Sequence, residues 1–119
     1  MKRGDVYWVR LDPIEDSEQA GTRPVVIVSR DAINRYSPVV VICPFTDASR
    51  VTRLYPSDVR VAASEGGLGK DSVVLTGQVR AVGKHRFGGY MGTLGAETMR
   101  EIDRALKITL DLEQEVCNG

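Results

Sequence analysis

Apolar residues along this chain fall into strand-length runs as far as about residue 93 and then change period. Asp5–Leu11 is a short aromatic and β-branched run, and 58–63 alternates with Val59 and Val61 on one face. The runs 23–29 and 38–46 are almost continuously apolar, as central strands buried on both faces require. A further strand is predicted over 72–82, with a bulge or a close backbone approach at Gly77. Gly66-Gly67-Leu68-Gly69 lies between these last two runs. It lacks both a following helix and a Gly-Lys-Ser/Thr ending, so it reads as a turn rather than a phosphate loop.

From 96 to about 115 the period becomes helical. Met99, Ile102, Ala105, Leu106, Ile108, Leu110, Leu112 and Val116 cover an arc of roughly 200°, wider than an ordinary apolar stripe. Such a face can pack on the sheet alone, or pack there and also touch a second subunit. Five or so strands and one terminal helix, without βαβ alternation, describe a small α+β barrel.

Composition narrows the picture. The 119 residues suit one domain, 1–119, with no Pro/Gly/Ser-rich linker. No run approaches the ~20 apolar residues that span a bilayer, and no signal-peptide core is present, so a soluble cytoplasmic protein without membrane association is expected. Cys43 lies within an apolar run and Cys117 near the C-terminus, which fits reduced thiols. One histidine and scattered cysteines cannot assemble a metal centre, so no metal or other cofactor is expected.

The formal net charge is zero but unevenly spread. Residues 50–86 carry 7 basic and 3 acidic side chains, whereas 87–119 carry 3 and 6. A local basic surface on a neutral protein suits a compact phosphate-binding site. The clearest candidate for that site is Arg23, which follows a polar, Gly-containing loop and opens an apolar strand. Its planar fork of donors matches a phosphate bidentately and stays charged at any working pH.

An ordered set of motifs carries a family resemblance. They are Arg3-Gly4-Asp5-Val6-Tyr7-Trp8, Ser17-Glu18-Gln19, Arg23-Pro24-Val25-Val26-Ile27-Val28, Pro44-Phe45-Thr46, Asp71-Ser72-Val73-Val74-Leu75, Gln78-Val79-Arg80, Lys84-His85-Arg86 and Ala105-Leu106-Lys107-Ile108-Thr109-Leu110. In that order, over residues 2 to about 112, the chain resembles the MazF/PemK family of toxin endoribonucleases from toxin–antitoxin pairs. The resemblance implies an SH3-like barrel with a C-terminal helix, acting as a homodimer. It implies metal-independent cleavage of single-stranded RNA at short motifs, and inhibition by a cognate antitoxin protein. Carried onto matching positions, it makes Arg23 and Thr46 the catalytic pair. The 12–22 loop, with Ser17, Glu18 and Gln19, becomes a gate over the RNA groove, which Gln78, Arg80, Lys84 and Arg86 help to line.

RNA supplies its own nucleophile, the 2′-OH, so the implied reaction needs no metal-bound water. Arg23 suits the charge that accumulates on the phosphorane, and a Thr46 hydroxyl can donate to the same oxygens. Proton transfer is less well served, because a guanidinium is a poor general base. Glu18 is a conceivable base if its loop closes. His85, flanked by Lys84 and Arg86, reads as a surface residue despite its suitable pKa. Trp8 and Tyr7 alternate faces, one core and one semi-exposed, and an RNA-stacking role is open to either. Asp47, Gly77 and Gly83 depart from the family pattern. A carboxylate at 47 repels phosphate unless it pairs with Arg50 or Arg53. An alternative is a non-catalytic gyrase poison on the same barrel, dependent on the C-terminal helix, with Arg23 and Thr46 dispensable.

Overall fold

Val25, Val26 and Ile27 are each fully buried, yet they serve two different cores. Side chains alternate across a strand, so Val25 and Ile27 join Val9, Leu11, Val40, Ile42 and Val82 on one face of the sheet. Val26 joins Val6, Cys43, Phe45, Val74 and the helix residues Ile102 and Ala105 on the other. A strand with both faces covered must be apolar throughout, which is why this run shows no alternation. Cys43 belongs to this core packing, and burial pushes its thiol pKa up to about 12.

The computed structural model describes residues 1–11 and 21–113. Seven strands form an antiparallel sheet: β1 (Asp5–Leu11), β2 (Gly21–Ile27), β3 (Val39–Asp47), β4 (Asp58–Val61), β5 (Ser72–Leu75), β6 (Arg80–Gly83) and β7 (Phe87–Thr93). The main path runs β4-β5-β3-β2-β1-β7, and β6 pairs with β3. No described pairing joins β4 to β7, so the sheet curls without closing into a full barrel. The helices are α1 (Asp31–Tyr36) and α2 (Ala96–Leu110), making an α+β fold.

β3 organises the sheet because its two ends have different neighbours. Val39–Ile42 pair with β6, whereas Phe45–Asp47 pair with β5, and β2 runs along the other edge. The single strand predicted over 72–82 is therefore two strands, separated by a 3₁₀ turn at Thr76–Gln78. Gly77 sits in that turn, where an added Cβ would meet nothing within 4 Å, so neither bulge nor close approach explains it. The Thr76 and Thr109 hydroxyls, 2.8 Å apart, fasten the turn to α2.

The close approach lies instead in the turn at 65–67. Gly66 and Gly67 have φ of 64° and 76°, and a Cβ on Gly67 would stand 2.1 Å from the Met91 carbonyl oxygen of β7. β7 itself escapes sequence patterning, since three of its seven residues are glycine. It exists because β1 offers it a ladder, interrupted by two register shifts. α1 is also absent from the apolar pattern, with Asn34 its one buried residue.

α2 stops at Leu110 rather than near 115. Asp111 adopts the left-handed conformation, its N–H reaching Ile108 O while the Leu112 N–H reaches Lys107 O at 2.9 Å. This pair of bonds is a Schellman ending. Met99, Ile102 and Ala105 are buried, but Ile108, Leu110 and Leu112 are about half exposed, so only the first half of the wide apolar face packs on the described sheet. Val116 and Cys117 lie outside the described residues.

Candidate functional site

The ladder between β2 and β3 ends with Val25 opposite Pro44, and Arg23 and Thr46 each lie two residues beyond that pair. Both then lie on one sheet face, at the strand ends. They line a cavity of about 330 Å³ where β2 and β3 meet the turn before β5. Trp8, Pro24, Phe45, Leu68 and Met91 give it apolar walls, while Thr22, Asp47, Arg50, Lys70 and Ser72 add polar groups. Thr46 is only 8% exposed, so its hydroxyl is held in place by the core around it. Trp8 is 42% exposed at the lip, and Tyr7 instead packs edge-on against Phe87 and Tyr90 at 5.5 Å. Tyr7 is thus the partly buried aromatic, packed against one core, and Trp8 the more exposed one.

Asp47 does not pair with Arg50 or Arg53. Its Oδ1 accepts the Ser49 N–H at 2.9 Å, and its Oδ2 lies 3.2 Å from Lys70 Nζ. These contacts, the Ser49 backbone bond foremost, lower its carboxyl pKa to about 2. The carboxylate is thus ionised at every working pH and partly neutralised by a lysine.

The remaining candidates spread along β3. Arg80 is the partner of Ile42 and shares the face of Arg23 and Thr46, four residues or about 13 Å along the strand from Thr46. Gln78 lies in the turn between β5 and β6, half-buried. Lys84 sits past the far end of β3, its N–H on Pro38 O at 2.9 Å. It lines a second depression, of about 540 Å³, with Lys2, Asp31, Asn34 and Arg35. Arg86 precedes β7, whose Phe87 faces Val9 of β1. None of Gln78, Arg80, Lys84 and Arg86 lines the Arg23–Thr46 cavity. His85 is exposed in the 84–86 turn and also stands apart from it. Ser17, Glu18 and Gln19, with the 12–20 part of the expected gating loop, lie outside the described residues. Gly21 and Thr22 belong to β2.

Trp8, Arg50 and Lys70 are cavity residues that sequence reasoning did not assign there. Lys70 comes from a turn far along the chain, and only the pairing of β5 with β3 delivers it. Among the described residues, no three His, Cys, Asp or Glu side chains gather as a metal site. No described helix is long and apolar enough to cross a membrane. The cavity offers cations, a buried hydroxyl and one carboxylate beside apolar walls, a set suited to a phosphate with an attached ring.

Comparison with known proteins agrees in extent. A family model described as PemK-like, MazF-like toxin of type II toxin-antitoxin system matches residues 2–110. An endoribonuclease MazF of Staphylococcus epidermidis is 40% identical over 112 residues, covering 94% of this chain and 92% of that protein. Its Staphylococcus saprophyticus counterpart is 39% identical over the same length. Among solved structures, a mycobacterial endoribonuclease in complex with its cognate antitoxin superposes with a TM-score of 0.80 at 30% identity, covering 97% of this chain and 99% of that one. MazF from Deinococcus radiodurans gives 0.78 at 28% identity, covering 93% and 96%.

Proposed function

The chain belongs to the PemK-like, MazF-like family of toxins from type II toxin–antitoxin systems, and from that premise we propose that it is a cytoplasmic endoribonuclease cutting single-stranded RNA without a metal. The observation that carries this reading is one cavity lined by both Arg23 and Thr46. In the reaction, the 2′-oxygen loses its proton and bonds to the adjacent phosphorus. The P–O5′ bond breaks, and the departing oxygen takes up a proton. A 2′,3′-cyclic phosphate and a 5′-OH result.

Arg23 binds the non-bridging oxygens and offsets the charge that grows on them, the effect expected of donors fixed before the reaction begins. Thr46, buried and therefore rotationally restricted, donates its hydroxyl to the same group. Gln78, Arg80 and Arg86 guide the strand away from the cavity, Lys84 meets longer RNA, and Ser17, Glu18 and Gln19 contribute to RNA binding. The protein works as a homodimer, since two short grooves related by a two-fold axis make one longer track. An antitoxin occupying the basic groove with an acidic segment blocks access.

The test is cleavage of a long unstructured RNA in EDTA, with both ends of each product characterised, beside Arg23→Ala. Discrete cuts leaving 5′-OH ends, reduced by two or more orders of magnitude in the variant, are expected. Intact RNA from the folded, antitoxin-free protein would refute the reading.

A further inference from the structure

A carboxylate beside a phosphate site is unfavourable unless it has another task. Asp47 follows Thr46 directly, and the Ser49 N–H at 2.9 Å fixes its orientation through a local turn. Lys70 is equally well placed in its main chain: Ser72 Oγ donates to Lys70 O at 2.9 Å, and the Ala48 N–H bonds Asp71 O at 3.0 Å. The two side chains meet at 3.2 Å, and both line the same cavity as Trp8. Both remain partly exposed, so the ion pair is a weak one and yields readily to a ligand. Asp47 also accepts from the Ser49 side chain. With the Ser49 N–H and Lys70, this leaves about one of the roughly four acceptor sites of a carboxylate for a further donor, and the weak Lys70 contact can yield another.

A fixed acceptor beside a flexible donor, on apolar walls with an aromatic lip, matches the edge of a nucleobase rather than a second phosphate. Resting on the ribonuclease reading, we propose that Asp47 and Lys70 form a base-selecting subsite beside the scissile phosphate, taking cytosine or adenine in preference to uracil. The amine of cytosine or adenine donates to the Asp47 carboxylate, while Lys70 Nζ donates to the neighbouring ring nitrogen. Uracil has no amine. Its N3–H can donate to Asp47 while O4 accepts from Lys70, but the carboxylate is then repelled by the second flanking carbonyl, O2, a penalty that cytosine and adenine escape. Trp8 stacks on the face of the base.

Cytosine and uracil differ at this edge by an amine against a carbonyl, so they make the probe. Uncleavable 2′-O-methyl pentamers of each are titrated against the protein, with binding followed by the fluorescence of Trp8, the chain's one tryptophan. Wild type should bind the cytosine pentamer about tenfold more tightly than the uracil pentamer. Asp47→Asn keeps the acceptor for Ser49 but replaces one carboxylate oxygen with a donor, and should bring that ratio near one. Equal binding of both pentamers by wild type, an unchanged ratio in Asp47→Asn, or binding of neither would overturn the inference. Cleavage of unmodified RNA is read separately. Wild type that prefers cytosine yet cuts nothing would refute only the ribonuclease reading, and an active enzyme without the preference only this one.

Discussion

Thr46 and His85 make opposite cases for how a residue's setting decides its role. Thr46 is 8% exposed and lines the cavity, so its hydroxyl has few rotamers to sample and needs little reorganisation to meet a charged oxygen. His85 has the acid–base chemistry Thr46 lacks, but it is exposed in the 84–86 turn and outside the cavity lining. We expect Thr46→Val, which keeps the β-branched shape, to lower kcat about a hundredfold while leaving the melting temperature almost unmoved. His85→Ala should cut at close to the wild-type rate. Single-turnover cleavage measured beside thermal unfolding checks both, and a His85→Ala protein as slow as Thr46→Val would move the proton transfer to the imidazole.

Among the elements, the 65–67 turn is where backbone meets backbone most closely. Gly67 combines a φ of 76° with a Cβ position 2.1 Å from Met91 O, so alanine there has neither the conformation nor the room. Gly67→Ala should cost about 3 kcal/mol or more, read as a lowered denaturant midpoint, whereas Gly77→Ala, with open space around it, should change stability little. The sequence suggested the reverse emphasis, since an isolated glycine in an apolar run looks more constrained than one in a glycine cluster. β1 and the buried centres of β2 and β3 were legible because their apolar residues answer to two cores at once. β7 was not, because its glycines carry no pattern and its pairing is supplied by β1. The end of α2 was also hidden, as Asp111 in a left-handed cap looks like one more polar helical position. For the site, Arg23 and Thr46 stand at strand ends that patterning locates. Lys70 reaches them only after β5 has folded back on β3.

Charge takes on meaning once the whole molecule is assembled. The excess of basic residues over 50–86 is not one patch: Arg50 and Lys70 stand at the cavity, Arg80 on β6 beside the middle of β3, and Lys84 beyond its far end. From Thr46 to Pro38, where the Lys84 N–H bonds, β3 offers at most about 26 Å of strand. An RNA seated at the cavity therefore meets these cations in order, and its length decides how many it reaches. Each phosphate neutralised by a side chain releases counterions, and for single strands the slope of log K against log salt falls by about 0.7 per contact. With a 2′-O-methyl pentamer, Arg80→Ala should flatten that slope by about 0.7 and Lys84→Ala should leave it unchanged. With a strand twice as long, Lys84→Ala should flatten it by a similar amount. A Lys84 effect already full with the pentamer would mean that RNA enters from the α1 end and runs toward Thr46, reversing the order in which the groove is filled.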